Sequence, residues 1–130
     1  MKEILDTNYL VINGWMKTRL GLKGTELLVF SIIYGFTQDG TTEYCGGLSY
    51  LMEWTDASKP TIINALKLLC EKKYIERINN FINGVNHVKY KISENFFLYI
   101  FLFFIFILNI LLFSLLFIWV KFFNHPSKIF

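Results

Sequence analysis

Apolar residues recur at helical spacing in several stretches of the chain and alternate in others. Trp15, Met16 and Leu20 fit a short amphipathic helix over residues 15–20, which Gly21 would stop. Leu27, Leu28, Phe30, Ile32, Ile33 and Tyr34 then form an apolar surface too broad for a lightly covered helix. This helix is expected to be the central, most buried one, with Thr25 as its N-cap and Gln38-Asp39-Gly40 as its closing turn. Ser49 is expected to cap a brief helix over residues 50–54, and Thr55-Asp56-Ala57 leads into a longer helix over residues 58–72. There Ile62, Ala65, Leu66, Leu69 and Cys70 recur at helical spacing. Pro60 falls in the first turn, where a missing N–H does no harm.

Strand signals surround these helices. Tyr9-Leu10-Val11-Ile12 is short and β-prone, and residues 41–45 form a second short candidate that Gly46-Gly47 breaks. Residues 74–78 alternate, residues 79–84 carry the turn signal Asn83-Gly84, and residues 85–92 alternate again. Val88, Tyr90 and Ile92 fall on one side of that last strand, and Lys89 and Lys91 on the other. A short helix, a tight turn, a longer helix and a basic hairpin, in that order, predict an α+β winged helix-turn-helix fold. The expectation is three to four helices plus a hairpin wing over residues 1–92, followed by a C-terminal apolar helix.

The composition changes abruptly after the hairpin. Every acidic residue lies at or before Glu94, and no charge occurs from Phe96 to Val120. Ser93-Glu94-Asn95 would then be a linker over residues 93–95, residues 96–120 a transmembrane helix, and residues 121–130 a short basic tail. A helix of this length can cross a bilayer. Tyr99 and Trp119 suit the two interfaces, and Lys121 follows directly. Read in this way, a cytoplasmic domain is tail-anchored in the cell membrane through Phe96–Val120. Lys89 and Lys91 before the span, against Lys121 and Lys128 after it, leave its orientation open. The stretch is almost entirely Phe, Leu and Ile, with neither Gly nor Ala. Codons for those residues share a middle U, so a frame-shifted or truncated reading of a T-rich stretch would give the same composition. Both origins stay open at this point.

The net charge of +3 conceals an uneven distribution. Residues 1–57 carry a net of −3 and residues 58–91 a net of +5. Such a split suits a polyanionic partner for the second half. Cys45 and Cys70 make no disulfide framework and read as reduced, buried thiols of a cytoplasmic protein. The histidines are His87 and His125, too few for a zinc site, so no metal and no cofactor is expected. Gly21-Leu22-Lys23-Gly24-Thr25 lacks the spacing of a phosphate loop, and no nucleophile–base set is visible. The chain is therefore expected not to be an enzyme.

A DNA-reading helix anchors one face in the core and offers short polar or basic groups on the other. On the helix over residues 58–72 the outward set is Ser58, Lys59, Thr61, Asn64 and Lys67. Asn64 suits a bidentate contact with adenine, Thr61 a thymine methyl group or a phosphate, and Lys59 and Lys67 phosphates. The hairpin adds Arg77, Lys89 and Lys91, with Asn86 and His87 near its tip. Double-stranded DNA is the expected partner, and a homodimer an expected assembly.

These residues resemble a known group. The runs Asn13-Gly14-Trp15-Met16, Leu22 to Phe30 and Ile33 to Gly40 are similar to small winged-helix proteins of low-GC Gram-positive bacteria and their phages. So are Gly47-Leu48-Ser49-Tyr50-Leu51, Trp54-Thr55, Ser58-Lys59, Thr61-Ile62-Ile63-Asn64 and Leu66-Lys67. The resemblance covers roughly residues 9–92. It implies the N-terminal domain of a phage or plasmid replication initiator or replisome organiser, and hence DNA binding in replication initiation or regulation. Two features depart from that pattern: Pro60 replaces an expected basic or polar residue, and an apolar tail replaces a polar linker or second domain. The rival expectation is a membrane-anchored winged helix serving as a protein-interaction module or a transcriptional regulator.

Overall fold

The computed structural model describes residues 3–124. His125, Lys128 and most of the expected basic tail lie outside them. Helix α1 (Gly14–Thr18) buries Met16, and α2 (Gly24–Thr37) buries Val29, Phe30, Ser31, Ile32, Ile33 and Thr37. Helix α3 (Leu48–Thr55) and α4 (Lys59–Glu71) precede an antiparallel hairpin, β1 (Ile75–Ile82) and β2 (Val85–Ile92). The order is that of a winged helix-turn-helix, and the fold is α+β as expected. Helix α2 packs against α1, α3, α4 and β2, which explains the breadth of its apolar surface. Its polar Thr37 is satisfied inside the core: the hydroxyl donates to the Ile33 carbonyl at 2.8 Å and accepts from the Ile92 N–H at 3.3 Å.

Several boundaries move, each for a local reason. Thr25 does not cap α2; Lys23 takes the N-cap position in extended backbone, and Thr25 lies within the helix. Gly47 takes the corresponding place at α3, so Ser49 is helical rather than a cap. The strand expected at residues 41–45 contracts to one bridge, Tyr44 to Tyr90. Asp39 captures the N–H groups of Thr41 and Thr42 at 3.0 and 2.8 Å, which withdraws them from strand pairing. The Tyr44 ring then folds over Gly46, where a Cβ would lie 2.3 Å from the tyrosine hydroxyl. No strand forms at Tyr9-Leu10-Val11-Ile12.

The wing is longer than expected. Asn83 (φ 50°) and Gly84 (φ 77°) close the hairpin as a two-residue turn, so residues 79–82 belong to β1 rather than to a loop. Helix α4 ends with Lys73 in the left-handed region at φ 59°. The Lys73 N–H bonds the Cys70 carbonyl and the Tyr74 N–H that of Leu69, the paired arrangement that closes helix C-termini. Cys70 is half-buried, whereas Cys45 is exposed rather than buried.

The chain divides into two compact units, Met1–Phe96 and Phe97–Phe130. The expected linker is not a free segment. Ser93 is buried, its N–H bonds the Tyr74 carbonyl and its hydroxyl donates to Glu76 at 2.9 Å. Helix α5 (Glu94–Phe123) begins at once, and Phe96 enters the first unit's core against Trp15, Phe30 and Tyr74, at ring distances of 5.8, 5.6 and 6.0 Å. In the second unit α5 is long and apolar enough to cross a membrane.

Candidate nucleic-acid interface

The turn between α3 and α4 sets the presentation of α4. Asp56 follows α3 in the left-handed region (φ 53°, ψ 23°), and the Ala57 N–H bonds the Thr55 hydroxyl at 3.3 Å. Ser58 precedes α4 in extended backbone, its hydroxyl 2.8 Å from that of Thr61. Pro60 sits in the first turn and removes no helical hydrogen bond.

Ile62, Ala65, Leu66 and Leu69 are buried, as the spacing predicts. Ser58, Lys59, Thr61, Asn64 and Lys67 are all exposed, so the helix brings this set together on its outer surface. Sequence reasoning missed Ile63, which is 49% exposed in the same stretch. Its position four residues from both Lys59 and Lys67 was the available signal. An exposed isoleucine there offers an apolar surface of the kind a thymine methyl group accepts. Glu71 lies 4.0 Å from Lys67 in an exposed pair that contributes little to stability.

The wing set is not brought together in the same way. In the antiparallel register Arg77 faces Tyr90 and Asn86 faces Phe81, which places Arg77 and Asn86 on one face of the hairpin. His87, Lys89 and Lys91 point to the other. Arg77, Asn86 and His87 are exposed. Lys89 donates to Glu43 at 2.9 Å, and Lys91 lies 3.1 Å from Glu94 and 3.7 Å from Glu76. Hydrogen bonding to Glu43 raises the Lys89 pKa, and hydrogen bonding to Glu94 raises that of Lys91. Both ammonium groups are therefore already matched. The wing tip is apolar instead: Phe81 is 76% exposed, with Ile82 and Val85 exposed beside it.

Folding also redistributes the charge asymmetry. Glu26 pairs with Lys72 at 2.6 Å and Glu43 with Lys89, each joining the acidic first half to the basic second half. The excess of +5 in residues 58–91 is thus partly cancelled within the fold. Among the described residues, Lys59, Lys73 and Arg77 of that stretch form no ion pair. No group of three His, Cys, Asp or Glu side chains comes together among the described residues.

Residues 20–75 match a family model described as a helix-turn-helix domain. The matched stretch begins just after α1 and runs through α4 to the start of the wing, so it contains the whole α3–turn–α4 unit. The match supports DNA binding for this region, and such domains are typically not enzymes. No curated protein matches the chain.

Proposed function

We propose that the chain is a double-stranded-DNA-binding protein of a phage or other mobile element, acting in replication initiation or regulation. It reads its site with the outer surface of α4. The observation that carries this reading is the exposed set Lys59, Thr61, Asn64 and Lys67 on the second helix of a matched helix-turn-helix. Asn64 and Thr61 address base edges, and Lys59, Lys67 and Arg77 address phosphates. The resemblance of residues 9–92 to replication initiators and replisome organisers supports the replication role. Residues 97–120 anchor the protein in the cytoplasmic membrane, supported by the length and apolar composition of α5.

The test is binding of full-length protein to duplex DNA over a salt series, in nanodiscs of neutral lipid. With about three phosphates neutralised by Lys59, Lys67 and Arg77, log K should fall with log salt at a slope of about −2.7. A flat response ends the DNA reading. Retention in the membrane pellet after carbonate washing tests the anchor separately.

The apolar wing tip favours a second reading. Phe81, Ile82 and Val85 project from the hairpin while the lysines behind them are paired, which suits a protein partner. Membrane-anchored protein with no salt-dependent DNA affinity would support that reading.

A further inference from the structure

We propose that α5 associates in parallel with α5 of a second copy of this chain, through a stripe formed by Leu102, Ile105, Asn109, Leu112, Leu116 and Trp119. This rests on the membrane reading of residues 97–120. The spacing along the stripe alternates three and four residues, the repeat that keeps one seam facing a partner helix in a left-handed pair. No phenylalanine falls on it, although residues 97–120 contain seven. The seven phenylalanine rings are therefore left to lipid, and the seam is aliphatic apart from Asn109 and the terminal Trp119.

Asn109 decides what covers the stripe. It lies beside the midpoint of residues 97–120, the deepest level of the bilayer. Its amide has two N–H donors and a carbonyl acceptor. It is exposed, and it makes no side-chain hydrogen bond among the described residues. Hydrocarbon offers it no partner, so a second polar group at the same depth is required. Ser114 does not supply it, because five residues turn the helix by about 140°. Asn109 of a second copy does. Two copies inserted in the same direction bring the two amides to one level, where each donates to the other, and a single polar seam position fixes register. Such a pair also holds two helix-turn-helix domains on one membrane face, as binding to two half-sites requires.

The test uses full-length protein in phosphatidylcholine vesicles, with donor and acceptor dyes at the N-terminus. Energy transfer is followed as lipid dilutes the protein. Asn109→Leu should weaken association about 3- to 30-fold. Asn109→Gln should retain it, and Ser114→Ala should leave it unchanged. In a Cys45→Ser, Cys70→Ala background, Ile105→Cys and Leu112→Cys should give disulfide-linked dimers under oxidation, while Ile107→Cys and Leu111→Cys should not. The proposal is overturned if Asn109→Leu associates as well as the parent, if cross-links favour positions 107 and 111, or if the protein stays monomeric at every density. Loss of the parent protein from vesicles on carbonate washing would remove the membrane reading and this proposal together. Vesicle-bound protein without the Asn109 effect removes the proposal alone.

Discussion

Lys89 Nζ lies 2.9 Å from Glu43 Oε2, so a wing cation is matched by a carboxylate from the segment that precedes α3. The two residues are 46 positions apart in the chain, and the pair lies beside the Tyr44–Tyr90 bridge. A lysine already neutralised releases few counterions when a phosphate approaches. Lys89→Ala should therefore change the slope of log K against log salt by less than about 0.5, where a free phosphate-binding lysine would change it by about 0.9. Glu43→Gln should steepen the slope by about 0.9, because it frees the Lys89 ammonium. Fluorescence anisotropy of labelled duplex DNA over a potassium chloride series measures both. A full loss of 0.9 in Lys89→Ala would mean that the pair opens on DNA.

Lys67 and Asn64 should separate affinity from discrimination. Lys67→Ala should weaken binding to every sequence alike and flatten the slope by about 0.9, since its ammonium group is highly exposed and its pair with Glu71 is loose at 4.0 Å. Asn64→Ala should leave the slope intact and reduce discrimination between the best site and a single-base variant by about 1–3 kcal/mol. A site-selection experiment followed by titration of both sequences reads the difference. An unchanged ratio for Asn64→Ala would move base recognition away from this part of α4.

Asp39 gives the fold an acid-sensitive turn. Its carboxylate accepts from the Thr42 hydroxyl and from the N–H groups of Thr42 and Thr41, and these bonds lower its pKa to about 2. The unfolded chain takes up this proton near pH 3.9. With the folded pKa depressed, the stabilisation is fully present above about pH 4 and is lost as the pH falls towards 2. The melting temperature of Asp39→Ala should lie below that of the parent from pH 5 to 7. The gap should close below about pH 4 and vanish near pH 2. A gap that persists unchanged at pH 2 would show that the ionised carboxylate is not its source.

The helices and the hairpin were legible because burial imposes a period. Ile62, Ala65, Leu66 and Leu69 mark the inner side of α4 whatever lies opposite them, and Asn83-Gly84 announces a two-residue turn. The failures have two causes, one local to the segment and one set by partners far away in the chain. The segment over residues 41–45 had strand composition, but Asp39 withdrew two of its N–H groups and only Tyr44 found an edge. Lys89 and Lys91 alternate outward from a strand, as free wing cations would. Nothing local reveals that Glu43 and Glu76 meet them, although Glu94 lies only three residues from Lys91. On α4 outward position follows from helical spacing, whereas on the wing tertiary ion pairs decide which charges stay available. The apolar neighbours of Phe96 predict a membrane span, and only the fold places it against Trp15, Phe30 and Tyr74.

The position of Phe96 changes where the first unit should be cut. A segment ending at residue 92 omits Ser93, which bonds Tyr74 and Glu76, and Phe96, which is 3% exposed among three aromatic rings. A segment ending at residue 96 keeps both. Truncating a buried phenylalanine to alanine costs about 3–5 kcal/mol, which is a large part of the stability of a small domain. Segment 1–96 should therefore unfold cooperatively in urea, and segment 1–92 should be destabilised by at least about 3 kcal/mol. Phe96→Ala within segment 1–96 should reproduce most of that difference. Leu66→Ala, in the buried face of α4, should cost about 2–5 kcal/mol in the same segment and serves as a reference for a core truncation. Equal stability of the two segments would show that Phe96 belongs energetically to the apolar helix, and that the first unit is complete at Ile92.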